Sequence, residues 1–139
     1  MDFPCCRHWI GGESGRAQRR VAELGDGWYP LGANPRSPLD SAERYADGRD
    51  RLHEKVEAAG RDPADIALGY NAPFHSQTET KNREGGRLIL TGSAADRAAD
   101  VASLKEVGVG TIILNVHGQT LPETLDRMRE FQEEVVPLL

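Results

Sequence analysis

The chain has 139 residues, with 17 Lys+Arg against 22 Asp+Glu, a formal charge of −5, and 38% hydrophobic and 6% aromatic residues, which allows one domain with a modest core. The acidic balance excludes a binder of phosphate backbones, since the one dense basic run is Arg16, Arg19 and Arg20, and no nucleic-acid partner is expected. No stretch approaches the roughly 20 apolar residues that span a bilayer, and Met1-Asp2-Phe3-Pro4 lacks the basic and apolar regions of a secretory signal, so a cytoplasmic address with no membrane partner is expected.

Residues 1–8 read as an irregular tail. The adjacent pair Cys5-Cys6 makes neither a disulfide framework nor a CxxC motif, and with His8 alone beside it no metal site is expected. A first strand is predicted near His8 to Ile10, stopping at Gly11-Gly12. Ala17, Val21 and Leu24 then recur at helical spacing on one face, and Gly25 ends that helix. A short strand, Gly27 to Leu31, precedes a loop rich in Gly, Asn and Pro. A long helix follows from about Asp40 to Ala59, with Ala42, Tyr45, Leu52, Val56 and Ala59 as its buried face and Gly60 at its close.

Asp62-Pro63 turns the chain into a third strand, Ile66 to Tyr70. Residues 71–86 carry no period and read as a mobile loop, with a short strand possible at Arg87 to Leu90. Ser93 caps a helix over Ala94 to Val107, its apolar face formed by Ala98, Val101, Ala102 and Leu104, and Gly108 and Gly110 end it. The fourth strand, Thr111 to Val116, is the most apolar run, as a parallel strand covered on both faces requires. Thr120 and Glu123 pair as a capping box for the last helix, in which Leu121, Leu125, Met128 and Val135 share a face.

Repeated strand and helix alternation implies a parallel α/β sheet with right-handed crossovers. A complete eightfold barrel takes roughly 250 residues, so four βα units in this length make about half of one, a partial TIM barrel. An open doubly wound sheet is the alternative.

The run WIGGESGRAQRRVAELGDGWYPL, residues 9–31, resembles the second half of the luciferase-like flavin oxidoreductases, the superfamily of bacterial luciferase, alkanesulfonate monooxygenase and the deazaflavin-dependent dehydrogenases. GRDPADIAL at 60–68, TGSAADRAADVASLKEVGVGTIILNV at 91–116 and the closing ETLDRMREFQEEVVPLL continue the pattern in the same order. The resemblance implies that residues 9–139 correspond to strands five to eight of a (β/α)8 barrel and the helices after them. A family member would carry strands one to four ahead of WIGG, where this sequence has MDFPCCRH. Half of the flavin site belongs to that missing half.

In a barrel, ligands meet the loops after the strands, which selects Gly11 to Ser14, Leu31 to Asn34, Tyr70 to His75 and Asn115 to Gly118. Gly11-Gly12 lets backbone approach a ligand, and the helix start after it offers unpaired N–H groups and the Ser14 hydroxyl, the chemistry of a phosphate cradle. A tight strand-to-helix turn is the plainer reading of the same residues. The resemblance places a flavin or deazaflavin phosphate there, so Gly11, Gly12, Glu13 and Ser14 are the expected cofactor-binding residues, with the Glu13 carboxylate turned away from the anion.

Arg19 and Arg20 read as a solvated face, Asp26 as a residue holding backbone N–H groups, and Trp28 as packing between sheet and helices. His53 reads as a surface residue, while His75 and His117 follow strands on the ligand face and can exchange protons near neutral pH. No Ser/His/Asp or Cys/His order, HExxH or P-loop is present, and no catalytic residue is assigned.

The function implied by the resemblance is a fragment of an oxidoreductase or monooxygenase that uses FMN or a deazaflavin coenzyme on a small organic substrate and is inactive alone. Its partner is then the missing N-terminal half or a second copy in a homodimer. The rival reading is a non-catalytic half-barrel, either an association module or a pseudogene-like product.

Overall fold

The structure, a computed structural model, describes residues 7–72 and 75–139; Cys5 and Cys6 lie outside them. Four strands, β1 (Trp9–Gly11), β2 (Gly27–Tyr29), β3 (Ala67–Ala72) and β4 (Thr111–Leu114), form one sheet in the order β1-β2-β3-β4. Every neighbouring pair is parallel, with Trp9 opposite Gly27, Gly27 opposite Ala67, and Gly69 opposite Thr111. Helices α1 (Gly15–Leu24), α2 (Ala42–Ala58) and α3 (Ala94–Glu106) make the returns between strands, and α4 (Leu121–Glu130) follows β4. The chain is therefore a (β/α)4 unit of a TIM-barrel-like fold.

Local chemistry sets the helix ends. Ser14, Ser41, Ser93 and Thr120 are the N-caps of α1 to α4, each accepting a backbone N–H three residues on. Ser93 and Asp96 form a reciprocal capping box. Thr120 and Glu123 do not: the Glu123 carboxylate reaches past the cap to the Gln119 N–H at 2.7 Å. Gly60 and Gly108 leave α2 and α3 at φ +75° and +97°, the left-handed conformation that lets the chain turn at once into the next segment.

The core lies between the sheet and its helices. Ile10, Trp28, Leu68, Tyr70, Ala72, Ile112 and Leu114 alternate along the strands toward it and meet Val21, Tyr45, Leu52, Val56 and Leu104 from the helices. Trp28, Tyr45 and Tyr70 stack in sequence with centroids 5.4 and 5.9 Å apart. Their polar tips are satisfied by carbonyls: Trp28 Nε1 donates to Gly12, Tyr45 Oη to Gly69 and Tyr70 Oη to Leu39. Burial pushes both tyrosine hydroxyls above their ordinary range.

Several expected burials are corrected. Leu24 is 70% exposed, and the buried face of α1 is instead Ala17, Gln18, Val21 and Ala22. Gln18 is buried because its amide donates to the Gly48 carbonyl, where the missing side chain lets α2 close on Leu39 and Trp28. Ala42 is half-buried, and Ala59 and Ala102 are exposed: Ala59 lies past the last turn of α2, and Ala102 lies off the α3 face that buries Ala98 and Leu104. The described residues of the 71–86 stretch are pinned: Asn71 and Ala72 extend β3, and isolated bridges join Ser76 to Thr91 and Lys81 to Arg87. Leu88, Ile89 and Leu90 are buried without forming a strand, tied by the Leu90 N–H to Asp100, which also pairs with Arg87.

The largest correction concerns the two faces of the sheet. β4 is not covered on both: Thr111 and Ile113 are exposed, Ile113 by 44%. The face opposite the helices carries Trp9, Tyr29, Gly69, Thr111 and Ile113, and the Trp9 indole lies across it over Gly27 and Gly69 with Tyr29 at its edge. The α4 stripe is also turned outward, with Leu121, Leu125 and Met128 at 70%, 46% and 52% exposure; only Val135, in the π-helical turn Phe131–Val135, is buried.

Candidate functional site at the carboxyl ends of the strands

The carboxyl ends of the four strands share one rim and are joined side to side. Glu13, after β1, takes the Leu31 N–H at 2.5 Å and the Asn34 side-chain amide at 2.6 Å, both after β2. Gly32 N–H donates to the Asn71 carbonyl, and Asn115 N–H donates to that of Ala72. Gly32 sits so close to Tyr70 that a Cβ there would lie 1.9 Å from the phenol oxygen.

The predicted cofactor residues divide by role. Gly12 holds φ +103°, and a Cβ on it would come within 2.9 Å of the Ala17 methyl, so glycine is required for the turn into α1. Gly11 lies against Tyr29, and Ser14 caps α1 through the Ala17 N–H. The Gly15 and Arg16 amides, at the first two positions of α1, lie beyond the reach of intrahelical acceptors, and the space beside Gly15 is open. Glu13 is occupied by Leu31 and Asn34, so its carboxylate stays off the helix start. These residues fit a phosphate group: two amide donors, a hydroxyl, the positive end of a helix dipole, and the one nearby carboxylate engaged elsewhere.

Of the two histidines expected on this face, His117 is exposed, its carbonyl held by Arg127 Nη1. His75 is buried. Its Nε2 stands 2.9 Å from Arg97 Nη1, and because a guanidinium only donates, Nε2 is the acceptor and the ring proton resides on Nδ1. Arg97, 1% exposed, also grips Glu130 with both terminal nitrogens. Burial and then the Arg97 charge lower the His75 pKa, and the Arg97 hydrogen bonds lower that of Glu130. His75 and Glu130 line a cleft of about 730 Å³ between residues 75–78 and α4, with Arg97 buried behind them. Neither Arg97 nor Glu130 was legible as a partner, because each reads as the charged face of a helix. The signal was Arg97 itself, one position before the apolar Ala98 on the side of α3 that turns inward.

A second cleft, of about 740 Å³, opens between the 33–40 and 80–88 segments, with Arg44 paired to Asp40 and Glu84 at its wall. His53 is half-buried, a correction to its expected surface position, and its Nε2 has no hydrogen-bond partner; burial and then Arg49 lower its pKa. Asp26 takes the His8 N–H at 2.8 Å, as its type suggested. Among the described residues no group of His, Cys, Asp and Glu is arranged to hold a metal, and no helix is long and apolar enough to cross a membrane.

The fold is half of an α/β barrel, an architecture in which ligands meet the carboxyl ends of the strands. No protein-family model and no curated protein matches the chain. Solved structures do. The coenzyme F420 dependent tetrahydromethanopterin reductase from Methanopyrus kandleri superposes with a TM-score of 0.69 at 10% identity, covering 94% of this chain and 50% of that one. An F420-dependent secondary alcohol dehydrogenase gives 0.62 at 11%, covering 94% and 48%. A riboflavin lyase with modified FMN gives 0.63 at 14%, covering 94% and 42%. The chain thus shares the fold of these three proteins and spans half or less of their length.

Proposed function

We propose that this chain is the cofactor-phosphate half of a luciferase-like oxidoreductase barrel, in which Gly11, Gly12 and Ser14 hold the phosphate of FMN or of a deazaflavin coenzyme. The observation that carries the reading is the α1 N-terminus at the carboxyl end of β1, reached through a turn that only glycine can make and flanked by a carboxylate already bound elsewhere. Glu13 serves as a strut, fixing the 31–34 loop so that the turn and the neighbouring rim keep one geometry. When bound, the cofactor supplies redox chemistry, hydride transfer or oxygen activation, toward a small organic substrate. The chain's own residues bind and orient: the Gly15 and Arg16 amides donate to phosphate oxygens, and the Ser14 hydroxyl adds a donor while its oxygen caps the helix.

Titration of the ¹⁵N-labelled protein with inorganic phosphate, FMN and F420 tests this. Saturable shifts of the Gly15 and Arg16 amides, lost in Gly12→Val, are expected. The chain alone is expected to hold the free cofactors weakly, because the isoalloxazine pocket needs the other half of the barrel. Amides that do not respond to any of the three would refute the phosphate role, and micromolar or tighter flavin binding by the monomer would refute the need for a second half.

A further inference from the structure

The sheet is finished on one face and unfinished on three counts elsewhere. Its helix side is a closed core, whereas Trp9, Tyr29 and Ile113 lie on a face that no element covers among the described residues. β1 and β4 are its two edges, both parallel in sense, so each presents unpaired backbone along one side. Beyond β4, α4 shows solvent the apolar stripe Leu121, Leu125 and Met128. In a complete barrel the inner face is filled by side chains from all the strands, and closure is what removes edges.

We propose that a second copy of this chain covers the open face, with β4 of each copy pairing in parallel with β1 of its partner to close a two-fold eight-stranded barrel. The proposal rests on the half-barrel reading and extends it. A second copy fits for a geometric reason. The chain carries both kinds of edge, a first and a last strand, so one rotation about the barrel axis satisfies both at once and leaves no edge to propagate. It also fits chemically, because Ile113 and the Trp9–Tyr29 pair are apolar surface of the kind that interdigitates in a barrel interior. The pairing places the Gly11–Ser14 turn of one copy beside the Asn115–Gly118 loop of the other, so each phosphate turn is completed by a loop of its partner.

Light scattering on the eluting protein across a range of concentrations is the test. A mass of about twice 15.2 kDa is expected, with Trp9 emission shifting to the blue as the dimer forms. Ile113→Lys, at a site already 44% exposed in the single chain, is expected to weaken pairing on the order of a hundredfold while far-UV circular dichroism stays unchanged. Leu24→Lys, on the outer face of α1, serves as the control and is expected to leave the mass as it was. A monomer at every concentration would overturn the proposal, as would open-ended oligomers or a dimer indifferent to Ile113→Lys. A monomer whose Gly15 and Arg16 amides still respond to phosphate would sink the pairing and leave the cofactor reading standing. A dimer whose amides are silent would do the reverse.

Discussion

The two faces of the sheet are made by the same four strands, yet one is a core and the other a surface. On the helix side, Trp28 and Tyr70 are buried and every polar tip finds a carbonyl. On the opposite side Tyr29, one position after Trp28, is half-buried and Ile113, one position after Ile112, is exposed, and glycines at 27 and 69 leave a floor across which Trp9 lies. Alternation along a strand gives both faces equal access to apolar side chains. What separates them is whether another element arrives, and three helices arrive on one side only.

That contrast can be broken at its strongest point first. Leu52→Ala, in the closed core, is expected to cost about 3 kcal/mol in urea unfolding, the sum of lost burial and the cavity left behind. Gly32→Ala forces a methyl onto Tyr70 Oη and breaks its hydrogen bond to Leu39; roughly 2 to 3 kcal/mol of destabilisation is expected, and Tyr70→Phe in the same background should recover part of it. Glu130→Gln leaves the buried Arg97 with a neutral partner and is expected to cost about 1 to 2 kcal/mol, read by the same unfolding experiment.

The pH dependence sharpens the picture at the rim and, through His53, on α2. His75, His53 and Glu130 all have folded pKa values below their ordinary ones, so the unfolded chain binds more protons and stability rises with pH. The histidine contributions are present above their ordinary value of 6.5 and are lost as pH falls below it toward their folded values. That of Glu130 follows below 4.5. Unfolding midpoints measured from pH 8 to 4 should fall in that order, and His75→Gln, which keeps an acceptor for Arg97, should flatten the first fall. The smallest effect is the most telling: Ile113→Ala in the monomer is expected to cost about 1 kcal/mol or less, because the side chain is already 44% exposed. A cost near that of Leu52→Ala would mean the open face is not open.

Much of this was legible from residue type and spacing. Ser93 and Thr120 ahead of periodic runs marked two helix starts, Gly60 and Gly108 marked two stops, and the alternation of short strands with helices implied a parallel sheet. The Gly11-Gly12 turn was legible because only glycine makes it, whereas the hold on the Glu13 carboxylate was not, because its partners Leu31 and Asn34 lie 18 and 21 residues on. His75 was placed on the correct rim. Its holding by Arg97 and Glu130 was not legible, since those side chains come from α3 and α4 and meet only after both helices pack.

Sequence alone therefore determined where the chain is helical, where it turns and which way the strands run, because caps, glycines and periodicity act within a few residues. The tertiary structure decided which apolar residues are buried. Ile112 and Ile113 are adjacent and identical in type, and one joins the core while the other faces solvent, because burial depends on what packs against a face and not on the residue that points toward it.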